Sequence, residues 1–170
     1  MKEETTRINI APLRKLYEYW CQLRGDNLSP QRADLLPENL GPWLGHINLI
    51  DVIDQGERFR VRLHGTKVTE IFNHDLTGKY VDDFIPAEDL RYVLKSLKML
   101  VETKRPHHVL IEYDEGGHHR YVEKIRLPIA IGENPVAIIL SACYLVRDDQ
   151  LPLDTNRYIR AHRTAVVQPL

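Results

Sequence analysis

The sequence predicts an α+β domain: a five-stranded antiparallel sheet with helices on one face, preceded by an N-terminal amphipathic helix. Three observations lead there. From Arg58 to His64 the chain alternates, with Phe59, Val61 and Leu63 on one side and Arg58, Arg60, Arg62 and His64 on the other, as in a half-buried strand. From Pro86 to Arg105 the apolar residues Leu90, Val93, Leu94, Leu97, Leu100 and Val101 recur three and four apart, the stripe of a helix lying on a sheet. From Val136 to Val146 almost no position is polar, so this strand should be central and covered on both faces.

Taken in order, Pro12 to Arg24 carries Leu13, Leu16, Tyr17, Trp20 and Leu23 at helical spacing and stops at Gly25. Its apolar face can meet the domain's own sheet or the same helix of another copy. Leu13, Leu16, Tyr17 and Trp20 are the candidate interface of a homodimer, because large aromatics concentrate in interface cores. Asp26 to Trp43 is punctuated by Pro30, Pro37, Gly41 and Pro42 and should wrap the fold, with Arg32 placed to hold its carbonyls and Trp43 packed internally. Ile47 to Ile53 and Arg58 to His64 flank Asp54-Gln55-Gly56-Glu57 and should form a hairpin.

Beyond Gly65-Thr66 the period changes, and Val68, Ile71 and Phe72 fall on one face of a short helix. The long helix follows, entered at Pro86 and ended at Pro106. His107 to Tyr113 and Tyr121 to Ile129 then flank Asp114-Glu115-Gly116-Gly117, a hairpin turn, and Gly132-Glu133-Asn134-Pro135 leads into the last strand. The tail, with a basic cluster at Arg157, Arg160, His162 and Arg163, lacks periodicity and reads as disorder or a loose extension. Residues 1–45 thus form the helix and wrapping segment, 46–147 the core and 148–170 the tail.

The chain has 170 residues, 43% of them hydrophobic and 28% charged, and a formal net charge of −1. This suits one soluble domain and gives no basic field for nucleic acid or an anionic membrane surface. Cys21 and Cys143 are too few for a disulfide framework, and the start of the chain lacks the apolar run of a leader, so a cytoplasmic protein is expected.

The order of elements, with the phrases Arg32-Ala33-Asp34-Leu35-Leu36-Pro37, Phe59-Arg60-Val61-Arg62-Leu63-His64-Gly65-Thr66, Asp75-Leu76-Thr77-Gly78-Lys79 and Arg126-Leu127-Pro128-Ile129, resembles the PAS domain. It is more closely similar to a small stand-alone PAS-like family of proteobacteria, over about Leu13 to Val146. The resemblance implies a sheet cradling helices around a small cavity, used for sensing or protein contact. PAS domains usually act through a joined output module. The expectation here is a partner protein or a dimer.

Haem-binding PAS domains take an axial histidine from the helical side, and Pro86 to Arg105 has none. Flavin photosensors of this fold use a cysteine in an Asn-Cys-Arg phrase, where this chain reads Ile71-Phe72-Asn73-His74-Asp75. Neither haem nor flavin is supported. His107-His108 and His118-His119 do not chelate as pairs, because neighbours on a strand point to opposite faces, and they read as solvated edge or loop residues rather than a metal site. Pairing about the turn should set His118 opposite Tyr113 and His108 near Glu123. The arginine stripe on Arg58 to His64 reads as a solvated outer face, balanced by acids on neighbouring strands.

The expected function is a PAS-like sensory or interaction domain, not an enzyme, that binds a small apolar ligand between the sheet and the helices. Its walls would be Phe59, Val61, Leu63, Val68, Ile71, Phe72, Leu94, Leu97, Ile125 and Leu127, residues that also read as plain core. The alternative class is a small cone-fold enzyme acting on a hydrophobic substrate, with helices ahead of a curved sheet and a buried acid or histidine of shifted pKa.

Overall fold

A computed structural model describes residues 8–85, 87–115, 118–146 and 165–169. Pro86, the turn residues Gly116 and Gly117, and the basic cluster of the tail lie outside the described residues, as do the side chains of His118 and His119.

Six strands form one sheet in the order β2-β1-β5-β4-β3-β6. They are β1 (Ile47–Ile53), β2 (Arg58–His64), β3 (His107–Glu115), β4 (His118–Ile131), β5 (Asn134–Val146) and β6 (Ala165–Pro169). All pairings are antiparallel. The first five are the predicted sheet. The sixth corrects the view of the tail as a loose extension, because residues 165–169 pair with β3 from His107 to Ile111. The apolar run of β5 takes a central place between β1 and β4, as its lack of polar alternation requires.

Helix α1 (Ala11–Arg24) precedes the sheet, and a short helix α2 (Pro37–Leu40) sits in the wrapping segment, flanked by 3₁₀ turns at Arg32–Asp34 and Gly41–His46. Arg32 donates from Nη1 to the Leu35 carbonyl at 3.0 Å, which holds the first of these turns. Between β2 and β3 come α3 (Thr66–Phe72), α4 (Val81–Phe84) and α5 (Ala87–Thr103). Gly65 starts α3 directly from β2. A Cβ there would come within 2.3 Å of the Gly45 carbonyl oxygen and 2.7 Å of that of Ile47, so only glycine lets the chain turn so close to its neighbour.

Each face of the sheet has its own core. On the outer face α1 packs Leu13, Leu16, Tyr17 and Trp20 against Ile125, Leu127, Ile138 and Leu140. On the inner face α5 packs Leu97 and Leu100 against Ile50, Phe59, Val61 and Ile139. A smaller cluster joins Val68 of α3 to Val122 and Cys143. The aromatic interface expected on α1 is therefore corrected. Leu13, Leu16, Tyr17 and Trp20 are at most 4% exposed, and Trp20 donates from Nε1 to the Pro128 carbonyl at 2.9 Å. The sheet of the same chain satisfies them. Trp43 is also packed internally, stacked on Tyr19 and bonded to the Pro12 carbonyl.

The approach to α1 is fixed by one buried carboxylate. Glu123 of β4 is wholly buried on the outer face. Its Oε1 accepts from the Asn9 backbone N–H at 2.7 Å, from Asn9 Nδ2 at 3.0 Å and from His108 Nε2 at 2.7 Å, while Oε2 accepts from the Ile10 N–H at 2.7 Å. Ile10 is the residue that caps α1, and it offers no side-chain oxygen of its own. His107 and His108, expected at a solvated edge, are in fact buried, at 0% and 3% exposure, because β6 covers β3 and both sheet faces are packed. They point to opposite faces, as a strand demands. The hairpin register sets His118 opposite Glu115 rather than Tyr113, two residues from the pairing expected, while His108 does reach Glu123.

Replacing Glu123 by Ala leaves His108, the Asn9 amide and the Ile10 amide without their acceptor. We expect a loss of about 3 kcal/mol or more in unfolding free energy. Hydrogen exchange at the Asn9 and Ile10 amides should speed up beyond what global destabilisation explains. Unchanged protection of both amides contradicts this role.

Candidate functional site

Strand parity decides which residues can face a cavity. With Phe59 and Val61 turned inward, Ile125 and Leu127 fall on the opposite face, in the core under α1. Leu63 does not face inward either. The β1–β2 register slips between Leu49 and Ile50, so that Leu49 pairs with Leu63 while Ile50 pairs with Val61. Arg62 is the extra residue of a β-bulge, which shifts every later side chain to the other face. Leu63 is 38% exposed, and His64, expected on the arginine face, turns inward. The predicted walls thus divide. Phe59, Val61, Val68, Ile71, Phe72, Leu94 and Leu97 lie on the helix side of the sheet, whereas Leu63, Ile125 and Leu127 do not.

The arginine stripe is resolved on the outer side. Asp51, 4% exposed, takes Arg60 Nη2 at 2.9 Å and Arg62 Nε at 2.7 Å. Arg58 lies over the Tyr80 ring and pairs with Asp82 and Asp83.

The inner face carries a feature that the pattern of apolar residues hides. The pairings His107↔Arg126, Arg126↔Ser141, Asn48↔Ser141 and Asn48↔His64 link β3, β4, β5, β1 and β2 in turn. Five polar residues therefore form one row straight across the sheet beneath the helices. In the next row Lys124 is paired with Cys143 on one side and Val109 on the other. Arg126, 6% exposed, donates from Nη1 to Ser96 Oγ of α5. The Lys124 ammonium sits 4.5 Å from the Phe72 ring centre of α3. Asn48 accepts from the Gly65 N–H, tying the row to the turn that launches α3.

Burial sets the ionisation of this face. It pulls the Arg126 guanidinium down to about 10 and lowers Lys124 as well. Burial, followed by the neighbouring Arg126 charge, brings His107 down to about 4, and burial lowers His64. The Cys143 thiol is pushed up by burial to about 11. At neutral pH the face thus has a cationic arginine, neutral histidines and a neutral thiol. Sequence reasoning missed it by reading the inward positions as apolar. The available signal was Lys124 and Arg126, two apart on β4 and therefore on one face.

An open cleft of about 430 Å³ lies beside α3, lined by His46, Lys67, Glu70, Ile71, Arg120 and Tyr144, among others. Ile71 belongs both to this cleft and to the apolar cluster over the inner face. Among the described residues no group of His, Cys, Asp and Glu is arranged to hold a metal ion, and no helix is long and apolar enough to cross a membrane.

The family profile described as the PAS domain matches residues 8–132, well over half of the chain. This chain belongs to the PAS domain family. Among solved structures it is similar to the light-state structure of the blue-light photoreceptor Aureochrome1 LOV, with 12% identity and a TM-score of 0.50, covering 73% of this chain and 98% of that one. A second similarity is to the structure titled "Flavin Analogue Sheds Light on Light-Oxygen-Voltage Domain Mechanism", at 13% identity and a TM-score of 0.49, covering 66% of this chain and 84% of that one. No curated protein matches the chain. At such identity the structural likeness concerns the fold. The residues here do not fit a cysteine–flavin pair on the helical side, because α3 and Asn73-His74-Asp75 carry no thiol and Cys143 lies on β5.

The low pKa of His107 has a pH consequence. Its folded value, about 4, lies below the ordinary 6.5, so between these values the unfolded chain binds the proton and the folded one does not. Stability contributed by neutral His107 is complete above pH 6.5 and falls as the pH drops toward 4. Melting temperatures of the wild type should decline over this window more steeply than those of His107→Leu. Parallel profiles for the two proteins contradict the assignment.

Proposed function

We propose that this PAS domain is a sensor that takes up a small molecule between the inner sheet face and helices α3 and α5, and passes its occupancy to a partner protein or a second copy. The observation that carries the reading is the polar row beneath apolar helix faces, with His107, Arg126 and Ser141 buried and Asn48 and His64 half-buried. A sheet face serving only as core has no use for five polar positions in register, whereas a binding site combines an apolar lining with a few placed polar groups. The apolar walls would be Phe59, Val61, Val68, Ile71, Phe72, Leu94 and Leu97. The cleft beside α3 supports an entry route, since Ile71 lies between it and the inner face.

Binding there would act on helix packing. Both α3 and α5 contact the sheet through side chains that a ligand would touch, and the Asn48 bond to Gly65 connects the face to the start of α3. Dimer contacts would have to use a surface other than the buried side of α1. The alternative of a cone-fold enzyme finds no support in the family match, and although α1 and α2 precede the sheet, three further helices stand between β2 and β3.

Native mass spectrometry of the protein purified from its own host, set against the denatured mass, tests the proposal. The expected outcome is a small-molecule adduct present natively and lost on denaturation. A clean native mass equal to that of the chain or its simple multiples overturns ligand sensing and leaves an interaction module.

A further inference from the structure

Among the described residues one cation, Arg126, stands on the inner face without a counter-charge, and beside it is Lys124, whose ammonium burial disfavours. Arg126 is 94% buried by its 6% exposure, its one hydrogen bond goes to the neutral hydroxyl of Ser96, and its Nε has no partner. Lys124 projects from the same face two residues earlier, its Nζ 4.5 Å from the centre of the Phe72 ring. Among the described residues no carboxylate forms an ion pair with either. Parity explains this. Asp51 and Glu123, the buried acids of the sheet, face outward and are committed to Arg60 and Arg62 and to His108 with the Asn9–Ile10 amides. Asp75, the acid facing His64, is exposed and accepts from its own loop at Thr77.

A charge in this position is costly. A guanidinium removed from water needs an anion and several acceptors to offset its lost hydration, and one hydroxyl does not supply them. The fork of Arg126 matches a planar carboxylate, and Lys124 adds a second donor on the same face. Around them Val68, Val122, Phe72 and Leu97 offer apolar surface only.

We infer that the inner sheet face takes a small apolar molecule bearing a single carboxylate, its oxygens held by Arg126 and Lys124 and its body lying against α3 and α5. The inference rests on the ligand reading above and narrows it from an apolar compound to an apolar acid. The acid supplies the charge that the fold itself keeps on the other face.

The test uses matched pairs of probes, octanoate against 1-octanol and phenylacetate against 2-phenylethanol, read by thermal shift and titration calorimetry on the full chain. An acid of at least one pair should bind and raise the melting temperature while its alcohol does not. Arg126→Met should weaken acid binding by about tenfold or more, the loss of a charge-assisted contact. Without ligand the same variant should melt at or above the wild type, because an uncompensated buried charge is gone.

Alcohols that bind as well as their acids overturn the carboxylate inference and leave the pocket reading standing. Acids that fail to bind the wild type also overturn it, while the native-mass adduct separately decides whether any ligand exists. A ligand-free Arg126→Met that folds but melts below the wild type assigns the guanidinium a structural task and overturns it too. Should that variant not fold, Lys124→Met takes its place, and unchanged acid affinity there counts against the site.

Discussion

Every side chain of this sheet has to choose between two cores, and the two-residue period of a strand makes the choice. Because α1 covers one face and α3 and α5 the other, a residue in the middle of β4 or β5, from Ile125 to Ala130 or from Ile138 to Cys143, is buried whichever way it points. Parity alone decides whether it packs under the N-terminal helix or under α3 and α5. Ile125 and Leu127 go one way, Lys124 and Arg126 the other. A single inserted residue, Arg62, changes the parity of one strand end and exchanges the roles of Leu63 and His64. The distribution of charge follows the same rule: buried acids lie outward, the unpaired cation inward.

This is also why the sequence could be read for architecture and less well for the site. The boundaries of β1 and β2, the stripe of α5 and the central place of β5 follow from local patterns that survive folding unchanged. A doubly covered strand hides its parity, because apolar residues on both faces look alike in sequence, so Ile125 and Leu127 could not be assigned to a side from β4 alone. A bulge hides too, since strict alternation from Phe59 to Leu63 predicts three inward residues where the pairing allows two. The aromatic face of α1 was legible as something to be buried but not as to what buries it. That was settled by the outer sheet face, with the Pro128 carbonyl waiting for the Trp20 N–H. The burial of His107 and His108 depends on β6, which comes from a segment with no periodic signal.

The buried carboxylate on the outer face and the buried guanidinium on the inner one make an instructive contrast. Glu123 accepts four hydrogen bonds, and its surroundings are complete without any other molecule. Arg126, three residues along the same strand and on the opposite side, has one. Polar groups that a fold keeps for its own integrity are saturated by the fold. By that standard the first belongs to the scaffold, while the second is the group on which the proposed ligand site rests.

His108 joins events that are distant in the chain. Its backbone pairs with Gln168 of the last strand, while its ring holds the carboxylate that anchors Asn9 and Ile10 at the beginning of α1. The way into the domain and its final strand are thus geared together through one residue near the sheet edge. The connection runs from the start of α1 through Glu123 of β4 and His108 of β3 to the last strand. In mechanical terms the two ends of the described domain turn on a common bearing.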